Sequence, residues 1–206
     1  MSQATKSAIS QPPRLAYIGL GNMGLPIARH LASYPSDGKL QVWTRSKGKY
    51  ALIPEAEGMD SIQDILQGVS GGVVVVFTSF PSDEVAEEVY GIMVKQAQMA
   101  DGGQVIFVDQ STLQPTTSGE HSGNSSRVRL MTIARIASTM PVGAVYLASP
   151  VIGQPAAAAA KQLVSAIAGN FEAIEYVKPI LDFIGRETIV VSSDVSQGKS
   201  RFAVFS

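Results

Sequence analysis

Short apolar runs separated by amphipathic stretches set the rhythm of the chain. Leu15-Ala16-Tyr17-Ile18 has the length of a buried strand, ends on Gly19-Leu20-Gly21-Asn22-Met23-Gly24, and passes into a helical pattern from Pro26 to Leu31. The order is strand, glycine turn, helix, with the helix expected over Asn22 to Ser33 and a second strand over Leu40 to Thr44, which completes a βαβ unit. Ser61 to Leu66 predicts a short helix capped by its serine. Gly71-Gly72 opens a strand from Val73 to Ser79 whose unbroken valines suit a parallel strand covered on both faces. Val85, Val89, Ile92 and Met93 give Asp83 to Met99 a helical period, and Asp101-Gly102-Gly103 ends that helix before a strand from Gln104 to Asp109. Further strands are expected at Val145 to Ala148, Leu163 to Ala168 and Thr188 to Ser192, with a helix from Phe171 to Ile184 between the last two. Ala156 to Ala160 reads as a helical turn, and Val128 to Ser138 as a helix crossing back to the sheet. This alternation predicts an α/β fold with a doubly wound, mostly parallel sheet.

In such sheets ligands lie outside the carboxyl ends of the strands, where Thr78-Ser79-Phe80-Pro81 and Asp109-Gln110-Ser111-Thr112 fall. The first glycine turn suits a pyrophosphate. Gly19 permits a tight turn, Gly21 lets an anion approach the backbone, Gly24 lets helix and strand pack closely, and the helix N-terminus supplies free N–H groups with partial positive charge. The same turn can exist without a ligand, so the end of the next strand matters. After Leu40-Gln41-Val42-Trp43, a site for NAD would place an acid against the ribose 2′-hydroxyl, whereas this chain places Thr44-Arg45-Ser46. An arginine fork matches a phosphate and Ser46 adds a hydrogen bond, so NADP is the expected cofactor. The alternative reading of Arg45 is a solvated loop cation.

The 206 residues, 45% hydrophobic and 16% charged, are enough to bury one large core. A net charge of −1 offers no basic field for nucleic acid and no polybasic membrane patch, and no apolar run approaches a membrane span. The absence of cysteine rules out thiolate chemistry and cysteine-ligated metal. His30 and His121 have no sequence partner that suggests catalysis, and no metal site is expected. Residues 1–13, polar and ending on Pro12-Pro13, read as a disordered tail without a targeting signal, which leaves the cytoplasm as the expected compartment.

The strings GLGNMGLPIARHL, VWTRS, FTSFPSDEV, VDQST and SPVIG, in this order, resemble the β-hydroxyacid dehydrogenase family, which includes 3-hydroxyisobutyrate and 6-phosphogluconate dehydrogenases. The resemblance implies a Rossmann-type NADP-binding domain over residues 14–192. It also implies that Gly19, Gly21, Asn22, Met23 and Gly24 hold the pyrophosphate, Arg45 and Ser46 the 2′-phosphate, and Phe80 and Pro81 the nicotinamide side, with Thr112 also facing the cofactor. Ser111 and the backbone at Gly153 would bind a substrate carboxylate, and the reaction would be hydride transfer between NADP(H) and a small hydroxy acid or semialdehyde.

Several features depart from that pattern. Relatives carry a catalytic lysine on a helix leading to an all-helical domain, followed by asparagines. Here Lys199 is the candidate, no asparagine follows it, and residues 193–206 read as the truncated start of that helix; the other reading of Lys199 is a solvated cation. Ile152 and Gln154 stand where many relatives have serine and glycine, and Gly119 to Arg129 reads as a loop insertion. Because the helical domain of relatives closes the crevice and supplies a dimer contact, three readings stay open: a dehydrogenase, an NADP-binding module without turnover, and an imine-reductase-like enzyme. A homodimer is also left open.

Overall fold

The structure, a computed structural model, describes residues 12–67, 71–98, 103–111 and 134–192. Most of the amino-terminal tail, Met99, Asp101, Gly102, Thr112, the insertion with His121, and the segment carrying Lys199 lie outside the described residues.

Among the described residues, nine strands form one sheet. In chain order these are β1 (Arg14–Ile18), β2 (Gln41–Trp43), β3 (Glu57–Gly58), β4 (Val73–Thr78), β5 (Gln104–Asp109), β6 (Ala144–Ala148), β7 (Val151–Ile152), β8 (Val164–Ala168) and β9 (Glu187–Ser192). The spatial order is β3-β2-β1-β4-β5-β6-β8-β7, with β9 paired to β8. All pairs from β3 to β6 are parallel, β8 runs antiparallel to β6 and β7, and β9 is parallel to β8. The helices are α1 (Gly24–Leu31), α2 (Ile62–Ile65), α3 (Asp83–Ala97), α4 (Pro155–Ala159) and α5 (Phe171–Ile184), with a 3₁₀ helix over Lys47–Leu52 and a helical turn at 134–138.

The two-residue period of the strands divides the core into two layers. On β4, Val73, Val75 and Phe77 face one cluster, which α1 fills with Ile27, Ala28 and Leu31, and α5 with Ile174, Val177, Leu181 and Ile184. Val74 and Val76 face the other, filled by Ala86, Val89, Tyr90 and Met93 of α3. Every residue of β4 is buried, as its continuous apolar run requires. Removing a Val or Phe side chain of this kind from water contributes about 1.5–3 kcal/mol.

The parallel ladder ends in one row, Trp43, Ile18, Thr78, Asp109 and Ala148 on β2, β1, β4, β5 and β6. One further residue of each crossing is tied down: Gly19 N–H donates to Trp43 O at 2.9 Å, Ser79 N–H to Ile18 O at 3.0 Å, Gln110 N–H to Thr78 O at 2.9 Å and Ser149 N–H to Asp109 O at 2.8 Å. The loops leaving four neighbouring strands therefore start from a common level.

Most elements fall where the apolar pattern places them, with end shifts of a residue or two. α1 is shorter than Asn22 to Ser33 because Asn22 and Met23 belong to the turn, and the far end tightens through Ser33 N–H to His30 O and Tyr34 N–H to Leu31 O. The 3₁₀ helix and β3 carry no apolar alternation, and the antiparallel direction of β8 leaves no mark in a periodicity. Among the described residues, no helix is long and apolar enough to cross a membrane.

The four-residue helix α2 survives through both of its ends. Ser61 Oγ accepts Asp64 N–H, the Asp64 carboxylate accepts Ser61 N–H, and Arg14 Nη2 donates to Ile65 O at 2.8 Å. Ser61→Ala is expected to lower stability by about 1 kcal/mol, read as a shift of the urea midpoint at constant slope.

Candidate functional site

The glycines of the first turn answer to different constraints. Gly19 has φ +100°, and a Cβ there would stand 2.2 Å from Ser79 O at the end of β4. A Cβ on Gly24 would stand 1.9 Å from Gly19 O and 2.9 Å from the Tyr17 ring. Fold and packing account for both. Gly21 is different: it is exposed, lies outside the left-handed region, and a Cβ would meet no protein atom within 4 Å. The backbone at Gly21 is thus open to approach from outside. Leu25 N–H donates to Gly21 O at 3.0 Å to start α1, and Met23 caps the helix without a side-chain acceptor. Among the described residues, nothing accepts the N–H groups of Asn22 and Met23, which suits an anion at a helix N-terminus.

Arg45 and Ser46 follow β2, whose end is bound to the turn by the Gly19–Trp43 hydrogen bond. Both are exposed. Three cations alternate here, and the protein engages two. Lys47 Nζ pairs with Asp60 at 2.8 Å, which holds the Asp60 carboxyl below and the Lys47 ammonium above their ordinary ranges. Lys49 Nζ donates to Leu20 O at 2.8 Å, tying the 3₁₀ helix to the glycine turn. Arg45 has no ion pair or hydrogen bond among the described residues. Lys49 was not among the residues singled out by the sequence, because its contact with Leu20 O depends on the 3₁₀ helix folding back on the turn.

Beneath the carboxyl ends of β4 and β5 lies a buried polar network that reaches Tyr146 in the middle of β6. Asp109 accepts from Tyr146 Oη at 2.8 Å, Ser111 N–H at 2.9 Å and Thr78 Oγ1 at 3.3 Å, and Thr78 Oγ1 lies 2.9 Å from Tyr90 Oη. Ser111 Oγ accepts Phe80 N–H at 2.9 Å, so the two loops singled out by sequence touch directly. The Phe80 ring turns inward, edge-on to Tyr90, and Pro81 is the exposed member of that pair. On the other face, Tyr17 Oη donates to Gln110 Oε1 at 3.1 Å. Burial pushes the Tyr17 phenol far above its ordinary value, so it stays neutral.

The structure therefore gathers Gly19 to Gly24, Arg45, Ser46, Phe80, Pro81 and Ser111 at the ends of adjacent strands. Gly153, with φ +140°, sits on the turn from β7 into α4, beside an exposed Ile152. Thr112 and Lys199 are outside the described residues. His30 Nε2 bonds to Ala159 O at 2.9 Å and holds α1 to α4 rather than facing the crevice. Among the described residues, no three His, Cys, Asp or Glu side chains gather as metal ligands.

The family model for the NAD binding domain of 6-phosphogluconate dehydrogenase matches residues 14–192. The chain belongs to this family. A dinucleotide-binding domain of the β-hydroxyacid dehydrogenase type accounts for the open glycine turn, the aligned strand ends and the doubly wound sheet together. The uncharacterized oxidoreductase YfjR of Bacillus subtilis is 30% identical over 185 residues, covering 88% of this chain and 57% of that protein. The NAD-dependent L-serine dehydrogenase of Pseudomonas aeruginosa is 29% identical over 188 residues, covering 88% and 54%. The chain spans a little over half the length of these curated relatives. In fold, the domain is similar to Mycobacterium tuberculosis 3-hydroxyisobutyrate dehydrogenase, solved with L-serine, at a TM-score of 0.69 and 19% identity, covering 94% of this chain and 59% of that one.

The packed and the open glycine should respond differently to substitution. Gly19→Ala is expected to cost about 3 kcal/mol or more, combining left-handed strain with overpacking, and so to lower the melting temperature by roughly 6–12 °C. Gly21→Ala should stay within about 0.5 kcal/mol of the parent in the same calorimetric scan.

Proposed function

We propose that this domain binds NADP(H) and serves hydride transfer between that cofactor and a small hydroxy acid or semialdehyde. The observation that carries the cofactor reading is Arg45: exposed, without an ion pair or hydrogen bond among the described residues, and two residues past Trp43, whose carbonyl is bonded to the turn that carries the open Gly21. A guanidinium held in that position is complementary to a ribose 2′-phosphate, with Ser46 as a second donor. The N–H groups of Asn22 and Met23 would receive the pyrophosphate. Phe80, anchored through its ring and its N–H, would present Pro81 to the nicotinamide side, and Thr112 belongs to the same expectation. The bound cofactor supplies or accepts the hydride. Ser111 Oγ, which accepts from Phe80, retains its own proton to donate to a substrate carboxylate, and Gly153 would add backbone contact.

In this reading Lys199 is the proton donor. NADP binding without turnover is the second reading, which asks for no proton donor in the site. Asp109, Tyr17 and Tyr146 are buried and engaged in hydrogen bonds, so none of them is poised to exchange a proton with a ligand. NADPH oxidation measured with small semialdehydes, and in parallel with cyclic imines, separates the readings. Turnover of a semialdehyde supports the first, consumption only with imines assigns the chain to imine reduction, and saturable NADPH binding without consumption supports the module.

Charge-assisted hydrogen bonds contribute about 1.5–3 kcal/mol, or roughly 10–150-fold in affinity. Arg45→Ala is expected to weaken NADPH by at least about tenfold in a fluorescence titration and NADH by less than about twofold. Equal losses would remove the 2′-phosphate role.

A further inference from the structure

Asp109 is an ionisable side chain that the proposed chemistry leaves unused, and it is 2% exposed directly beneath the crevice. A carboxylate only accepts hydrogen bonds, so it fixes the polarity of the groups around it. Oδ1 takes the Ser111 N–H and the Thr78 hydroxyl, and Oδ2 takes the Tyr146 hydroxyl. Thr78 spends its proton on Asp109, which leaves Tyr90 as the donor to Thr78 Oγ1. Through these bonds one side chain joins the ends of β4 and β5 to Tyr146 in the middle of β6 and clamps the backbone of Ser111. The consequence appears one bond further on. With its backbone fixed, Ser111 turns an oxygen lone pair to Phe80 N–H, and its hydroxyl proton is directed elsewhere.

We infer that Asp109 is a positioning residue for recognition of an anionic ligand: it acts through Ser111, holding that hydroxyl as a donor with its acceptor side already engaged by Phe80. The inference rests on the proposed reading of Ser111 as the contact for a ligand carboxylate. Its physical content is a contest of signs. A buried anion behind the site repels an incoming carboxylate, whereas the clamped Ser111 attracts it. The positioning role requires the short-range hydrogen bond to outweigh the through-space repulsion, which acts at longer distance and is screened by solvent at the crevice mouth. Asparagine keeps the shape but replaces one acceptor oxygen with a donor NH₂, which either opposes Ser111 N–H or makes the Tyr146 hydroxyl reverse and accept, and in both cases the charged acceptor of the clamp is lost.

The test uses the full chain with Asp109→Asn, Ser111→Ala and the double variant. Calorimetry with 2′,5′-ADP reads the adenosine end alone. Titration of the NADP⁺ complex with 3-hydroxypropanoate, and with its uncharged methyl ester, reads the crevice. Asp109→Asn should keep 2′,5′-ADP affinity within about twofold, lose at least about tenfold for the carboxylate and little for the ester. In the Ser111→Ala background it should cause no further loss, because residues acting as a unit are not additive. Unchanged or tighter carboxylate binding by Asp109→Asn, or additive losses in the double variant, would overturn the inference while leaving the cofactor reading intact. Absence of 2′,5′-ADP binding by the parent would instead overturn the cofactor reading. A parent that binds 2′,5′-ADP but no carboxylate would remove the role of Ser111 and the inference with it. Should Asp109→Asn fail to fold, Tyr146→Phe keeps the carboxylate and deletes one donor. A smaller loss in the same direction supports the inference, and no loss overturns it.

Discussion

The backbone of the first turn rests on the backbone at the end of β4, with no room for a side chain between them. A Cβ on Gly19 would fall 2.2 Å from Ser79 O, and one on Gly24 would fall 1.9 Å from Gly19 O. This double contact brings the N-terminus of α1 down onto the carboxyl end of the sheet, so that N–H groups without an acceptor among the described residues, a cation-bearing loop and two polar strand ends lie at one end of the sheet. Only glycine permits it, and the close packing of the interior gives neighbouring backbone little freedom to yield.

Around that contact, each layer of the structure restricts the next. The valine run of β4, buried on both faces, fixes the register of β1 and β5, and the register fixes the row Trp43, Ile18, Thr78, Asp109, Ala148. The row sets where Arg45, Phe80 and Ser111 leave the sheet. Polar groups then take over from packing: at the strand ends apolar contacts give way to a network in which Thr78, Tyr90, Tyr146, Ser111 and Phe80 converge on one another through Asp109. A buried network of this kind specifies geometry only when its members are hydrogen-bonded, because an unmatched polar group in that environment costs about 1–3 kcal/mol. The strand ends are therefore held by hydrogen bonds on the side of Thr78, Asp109 and Ser111, and exposed to solvent at Arg45.

What was legible in the sequence was local. The glycine turn, the valine strand, the serine cap of α2 and the cation after β2 each declare themselves within a few residues, since strand, turn and cap chemistry act over that range. The limits of Phe171–Ile184 and Gln104–Asp109 follow from apolar spacing alone. Features made by distant pairings were not legible. Nothing in VSAIA states that β8 runs against β6, and Asp109 and Tyr146 are 37 positions apart with an unpredictable register between them. Ser111 was readable as a loop hydroxyl, but its hydrogen bond to Phe80 depends on two strands meeting in step. Lys49 reaches Leu20 O from a 3₁₀ helix that has no apolar period to announce it.

On the proposed reading, one surface, formed by the first turn and the end of β2, receives a phosphorylated dinucleotide. Titrating ¹⁵N-labelled protein with NADP⁺ tests it most directly, because each amide reports separately. The account predicts saturable shifts at Gly21, Asn22, Met23 and Arg45, extending to Phe80 and Ser111, with NAD⁺ failing to perturb Arg45 to the same degree. Saturation with shifts confined to another face of the sheet, or no shifts at millimolar NADP⁺, would contradict it.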